Sequence, residues 1–369
     1  MKRVDGRGIE TNYAYDDPES LLTSVKYVNN AQYNIAYQYD NYGRRIDIAD
    51  AAGKHRRYYD DDDAVVGTES TYVTQDGTSL PTIKLGYQFN LDGSTASMSI
   101  ANNSQTLKFQ YGYDANRRMI SLTNPFGEIT RWGYLDNNWL QYQITANGVS
   151  RVHTYNPRGL LNDISYYASN GNILSDFGAM VYNANGDRLS KFTQQPGAGA
   201  GYTGLTAYDY DFKDQITQEK SALAGGFTHN FGYDNAGNAI QFQNNAVPYN
   251  RNNQRAGIGY AHDKAGNPSI FGGVGLQFDP ENQMTTYGAA MAAGYRDDGL
   301  RAWKQNNTDT TYFIYDGFTP VVEVDPAGAF IATNTFGVNG LVSRHTPAGS
   351  VFYNCDPSGT VAPRLRRTG

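Results

Sequence analysis

Five histidines are the first residues to examine for chemistry: His55, His153, His229, His262 and His345. A zinc protease places two histidines in a His-Glu-x-x-His run on one helix face. No such run, and no close His/carboxylate pairing, is read among these five. The acidic run Asp60-Asp61-Asp62-Asp63 invites calcium. It lacks the spaced ligands, the Gly and the terminal Glu of an EF-hand loop, so a solvated turn after Tyr58-Tyr59 is expected. The stretch from Gln195 to Tyr202 is rich in Gly but has no Lys for a phosphate and no helical pattern after it. No Gly-x-Ser-x-Gly elbow is present. The lone Cys355 excludes a disulfide framework and a cysteine zinc site within the chain. No catalytic, cofactor-binding or metal residue is therefore assigned, and no cofactor is expected.

The elements that carry these residues look like β-strands. The chain has 369 residues and a net charge of −6, with 30 Tyr against 16 Phe and 3 Trp. Tyrosine brings a large apolar ring and a hydroxyl that needs a partner, which suits half-buried strands. With 40 Gly for turns, the composition points to an all-β chain. No basic stripe is available to track phosphates, so nucleic acid is not an expected partner. The short tail Arg364-Leu365-Arg366-Arg367 reads as a solvated terminus. No stretch approaches the roughly 20 apolar residues of a membrane span, and residues 1–8 show no apolar core of a signal peptide.

One unit recurs: aromatic, any residue, aromatic, Asp or Asn, two residues, Gly. Clear copies are Tyr37-Gln38-Tyr39-Asp40-Asn41-Tyr42-Gly43, Phe231-Gly232-Tyr233-Asp234-Asn235-Ala236-Gly237, Tyr87-Gln88-Phe89-Asn90-Leu91-Asp92-Gly93 and Tyr260-Ala261-His262-Asp263-Lys264-Ala265-Gly266. Shorter forms place Asn156 with Gly159 and Asn183 with Gly186. The spacing drifts over roughly 16 to 30 residues, a repeat period. Alternate aromatics share one strand face. Asp or Asn opens a type I turn by accepting backbone N–H groups, and Gly then takes the left-handed conformation. Each unit is thus the tip of a β-hairpin with a bulge. Other copies are worn: Tyr113-Asp114 meets Arg117 in the Gly slot, Tyr134 is followed by Asn138, and Phe278-Asp279 by Asn282. Tyr208-Asp209-Tyr210-Asp211 has no Gly in register, and Tyr295 is followed by Arg296 but keeps Gly299. Tyr315-Asp316 and Cys355-Asp356 with Gly359 are read as further tips. His262 fills an aromatic slot, a packing role. Lone hairpins are marginal in water, so the chain is expected to form one continuous antiparallel strip that twists and curls. It is read as a single array over 1–369, with a weak subdivision at the Gly-rich loop 195–207.

This pattern resembles the YD repeats of bacterial RHS proteins, of the C components of insecticidal toxin complexes and of teneurins. The strongest stretch is Tyr295-Arg296-Asp297-Asp298-Gly299-Leu300-Arg301, Tyr312-Phe313-Ile314-Tyr315-Asp316-Gly317 and Phe336-Gly337-Val338-Asn339-Gly340-Leu341-Val342-Ser343-Arg344. It is similar to the end of an RHS core, which would place a core-like segment at 295–369. The resemblance implies a spiralling shell that encloses a C-terminal toxin polypeptide. It implies a secreted or cell-surface location for the intact form, and partners in the enclosed effector or the remainder of the shell. Such shells carry an Asp-Pro-x-Gly-Leu self-cleaving motif. Asp356-Pro357-Ser358-Gly359-Thr360 is similar to it, but Thr360 replaces Leu and the run keeps the YD register. It is read as a hairpin tip, the protein as no enzyme, and the chain as a core segment cut at both ends. A second reading is a surface adhesion or carbohydrate-binding module, because rows of tyrosines can stack on sugar rings.

Overall fold

The computed structural model describes residues 1–16, 20–198, 200–361 and 365–366. Residues 17–19, Gly199 and, of the basic tail, Arg364 and Arg367 lie outside the described residues; Leu365 and Arg366, expected to trail as a solvated terminus, instead pair as a short strand with Phe352 and Val351. Short strands of 2 to 10 residues follow one another almost without interruption. Helix among the described residues is limited to single 3-10 turns such as Ala31–Tyr33 and Pro196–Ala198. None is long and apolar enough to cross a membrane. The chain is all-β, an array of antiparallel hairpins joined into long sheets.

The alternation of side chains explains the strands. In Ile83–Phe89 the first and third residues, Ile83 and Leu85, are buried while Lys84 between them is exposed. In Thr106–Tyr113 the same alternation buries Leu107 and Phe109 around the exposed Lys108. Period-two burial of this kind fixes the register, because a slip of one residue would turn the apolar set outward.

Two compact units form. The first comprises residues 1–110, 257–335 and 345–347. Its opening run is a meander in which Glu10–Asp16, Leu21–Tyr27, Ile35–Tyr39, Arg45–Asp50, Gly53–Tyr59, Val65–Tyr72, Ile83–Phe89 and Thr95–Ala101 each pair with the next strand. Its second run is built alike from Tyr260–His262 to Thr319–Val324. The dry interior of this unit mixes aliphatic side chains with tyrosine: Ile48, Ile83, Met98, Ile100, Val322 and Val324 are at most 2% exposed, and Tyr72 and Tyr312 are each 1% exposed.

The second unit comprises residues 111–256, 336–344 and 348–369. Its meander runs strand to neighbouring strand from Met119–Thr123 to Phe227–Asn230. Ile164, Tyr166, Phe177, Met180 and Val149 form its core cluster, with Leu161, Leu174 and Tyr182 packed against it.

Candidate functional site

The repeating tip is the first functional feature. Asp40 Oδ1 accepts the N–H groups of Tyr42 and Arg44, each at 2.9 Å. The backbone closes with the Asp40 N–H on the Arg44 carbonyl and the Gly43 N–H on the Asp40 carbonyl. Gly43 has φ +75°, a conformation that costs a Cβ-bearing residue about 1 kcal/mol. Asp114, Asn156, Asp234, Asp263 and Asp356 accept the same pair of N–H groups, two and four residues on. Asn183 takes Gly186 and Asp187 instead. At Asn90 the neighbouring Asp92 accepts the Ser94 N–H, and Asn90 reaches the Ser94 hydroxyl. Gly93, Gly159, Gly186, Gly237, Gly266 and Gly359 all have positive φ. In the worn copies Arg117, Asn138, Asp214 and Asn282 occupy that slot with φ between +59° and +69°. The run Asp60–Asp63 is also a tip: Asp60 accepts from Asp62 and Ala64, and Asp63 is left-handed at φ +63°.

Asp316 is a correction. Asp316 pairs directly with Thr319 across a two-residue loop in which Gly317 has φ +56°. Its carboxylate is free of turn duty and accepts the Tyr87 hydroxyl at 2.6 Å. The loop is one residue too short for the Asp-x-x-Gly geometry.

The tyrosine ahead of many of the tips, and Tyr315 ahead of the shorter Asp316 loop, does a second job. Its ring is half-buried and its hydroxyl donates to a backbone carbonyl near the start of an earlier return strand. Tyr39 reaches Leu22, Tyr59 Arg45, Tyr295 Met284 and Tyr315 Arg301, at 2.8 to 3.0 Å. In the second unit Tyr134 reaches Met119, Tyr155 Leu140, Tyr182 Leu161, Tyr210 Arg188 and Tyr233 Ile216, at 2.6 to 3.0 Å. Strand register shifts at each of these tyrosines, for instance between Gln38 and Tyr39. Such a bulge re-aims a side chain. Tyr37, one place earlier on the same face as Tyr39, lies under the Arg45 guanidinium at 4.1 Å. Tyr113 is half-buried at the worn Asp114 tip.

The residue after the Gly slot ties tip to tip. Arg44 holds its own Asp40 at 2.7 Å, donates to the Asp60 carbonyl and to Asp63 of the next tip, and lies 4.9 Å above the Tyr59 ring. Arg118 repeats this with Asp114, the Leu135 carbonyl, Asn138 and the Tyr134 ring. Asn238 reaches Asn253, and Asn267 reaches Asn282. Partial desolvation opposes ionisation of Asp40 and Asp114, but the arginine and the two N–H groups outweigh it and hold both carboxyls below the usual range.

Within each unit the late run of hairpins lies along the early one. In the first unit Arg7 donates to the Asp279 and Pro280 carbonyls, Tyr27 to Glu281, Tyr72 to the Phe313 carbonyl, Tyr87 to Asp316 and Asn102 to the Gly328 carbonyl. Both runs ascend together, and the separation falls from 272 residues at Arg7 to 226 at Asn102. Ascending contacts of this kind mean two runs laid side by side in the same direction. The second unit has its own seam. Trp132 donates to Asn339, Asn339 to Gln143, and the Tyr166 hydroxyl both donates to the Cys355 carbonyl and accepts its N–H. Gly337 sits so close to the Trp132 ring that a Cβ there would lie 2.2 Å from it.

Two histidines depart from expectation. His55 Nε2 lies 3.5 Å from Asp50 Oδ1, and His229 Nδ1 lies 3.4 Å from Glu219 Oε2. Antiparallel pairing brings such residues together across a turn, a relation no linear motif displays. His55 Nδ1 also lies 3.1 Å from the Ser70 hydroxyl of the facing strand. Asp50 Oδ2 accepts the Asp297 N–H at 2.8 Å, which draws the polar cluster onto the first unit's seam. Burial opposes ionisation of Asp50, but His55 and the N–H groups of Asp297 and Ala52 keep its carboxyl low. Burial, then Asp50 and Asp298, push Asp297 up. A cleft of about 450 Å³ opens beside this cluster, lined by His55, Arg57 and Ser70 on the early run and by Arg296, Asp298 and Phe318 on the late one.

No family model matches the chain, and no curated protein matches it. Solved structures do. The Tc holotoxin pore of Photorhabdus luminescens with a mutated TccC3 component aligns over 98% of this chain at a TM-score of 0.53 and 14% identity. The chain has the RHS-type YD-repeat fold. The crystal structure of TcdB2-TccC3 aligns over 92% of the chain and 28% of its own length, at a TM-score of 0.43 and 13% identity. The chain spans about a quarter of the length of the holotoxin chain it matches. Sequence reasoning missed the turns that lack an aromatic pair. Asp5 with Gly8, Asn124 with Gly127 and Asp325 with Gly328 close by the same hydrogen bonds. The Asp/Asn-x-x-Gly spacing alone would have flagged them. The tyrosine hydroxyl bonds also went unread, although the tyrosine excess called for acceptors.

Proposed function

We propose that the chain is a wall segment of a YD-repeat container whose intact form encloses and delivers a C-terminal toxic polypeptide. The carrying observation is the fold match along 98% of the chain to a component of a Tc holotoxin. The internal construction agrees with a wall: tips are tied to tips, and late hairpins are sewn to early ones. The partners of this reading are the enclosed effector and the remainder of the shell, and the intact form acts outside the producing cell. The role is mechanical, so no bond-making step is assigned to it. Edge strands at the ends of each sheet are satisfied by further hairpins of the same wall.

Limited proteolysis of the full natural protein tests this. The polypeptide downstream of the hairpin array should resist protease while the array is native and be cut once mild denaturant opens it. Equal cleavage of that polypeptide before and after opening would refute enclosure.

A further inference from the structure

Several charged residues line the 450 Å³ cleft of the first unit, and most are already matched. Arg56 is held in two hydrogen bonds by Asp47 at 2.7 Å, and Glu69 by Lys84 at 2.9 Å. Asp316 takes the Tyr87 hydroxyl and Asp298 takes Arg296 Nη2. What remains uncommitted is donor capacity and positive charge. Among the described residues the Arg57 side chain has no hydrogen bond or ion pair, and the buried Nε of Arg296 has no partner. A planar guanidinium with all its donors unused matches a carboxylate in bidentate fashion. Thr68 faces Arg57 across the strand pair, and Ser70 faces His55, which adds hydroxyl partners to the same floor.

The remaining wall is aromatic. Tyr87 and Phe89 stack at 6.0 Å and 25°. Phe89 is 38% exposed and Phe318 82% exposed at the mouth. Uncovered rings beside hydroxyls and a spare guanidinium suit a ligand with a C–H face, several hydroxyls and one negative charge. The volume lies within the usual 300 to 1,000 Å³ range of small-molecule sites. We propose that this cleft is a binding site for a carboxylate-bearing saccharide, with Arg57 taking the carboxylate and Phe89 carrying the ring. The site is independent of the container reading and would stand if that reading fell.

Saturation-transfer NMR and calorimetry on the full chain test it, with glucuronate and N-acetylneuraminate against glucose, inorganic phosphate and a glutamate-rich peptide. The acidic sugars should bind with Kd of roughly a millimolar or below, at least about tenfold tighter than glucose. Arg57→Gln should remove that preference, and Phe89→Ala should weaken both acidic sugars by about tenfold, with the circular dichroism spectrum unchanged. Binding of phosphate or the peptide as tight as that of the sugars would overturn the proposal. So would equal affinity for glucose, indifference to Arg57→Gln, or silence at tens of millimolar.

Discussion

Removing the hydroxyl of Tyr155 should cost about 1 kcal/mol, because the Leu140 carbonyl loses its donor in a half-buried site. Urea unfolding of Tyr155→Phe measures this, and Tyr39→Phe should behave alike in the other unit. The two sites share no partner, so the double variant should lose the sum of both. His153 makes a pH prediction. It is 7% exposed, and burial, followed by the charge of Arg151, pushes its pKa down from 6.5 to about 4. The unfolded chain accepts the proton near pH 6.5 while the folded chain refuses it until about pH 4. Stability carried by neutral His153 is therefore complete above pH 6.5 and falls as pH drops through that window, by at most roughly 3 kcal/mol. Unfolding free energies measured across that range should flatten in His153→Leu; an unchanged slope would assign the acid sensitivity elsewhere.

At the scale of the hairpin, the left-handed slot decides the cost of a tip. Arg117 holds φ +61° without the freedom of Gly, so Arg117→Gly should stabilise by about 1 kcal/mol. Gly43→Ala should destabilise by a similar amount at φ +75°. Thermal melts of the two variants should move in opposite directions. This slot also marks what was legible in the sequence. Asp40 with Gly43 and Asp234 with Gly237 announce their turns, because the Asx hydrogen bonds and the positive φ are local and demand particular residue types. Turns at Asn124 and Asp325 use the same chemistry but lack the aromatic pair that drew attention to the others. Asp316 shows the converse: it carries the Tyr-Asp-Gly signature, yet the return strand begins a residue early and its carboxylate is spent on Tyr87. The seam was not legible at all. Arg7 and Asp279 are separated by 272 residues, and no periodicity within a repeat encodes which later repeat will lie beside it.

At the scale of the molecule, the seams join the late run of hairpins to the early run within each unit. In the first unit the buried Asp297 is an internal cost of that seam. Burial and the neighbouring Asp50 and Asp298 raise its pKa above 3.8. A raised carboxyl weakens the fold once pH exceeds its folded-state pKa, and the penalty vanishes below the ordinary carboxylate value. Asp297→Asn should therefore stabilise the protein at neutral pH and have no such effect in acid. A loss at every pH would show that the 3.4 Å pairing with Arg45 dominates instead. The container reading itself is tested most directly by electron cryomicroscopy of the full natural protein. The account predicts a closed hairpin wall, with this chain as one part of it, surrounding polypeptide density that the wall does not explain. An open hairpin strip with nothing enclosed would contradict it.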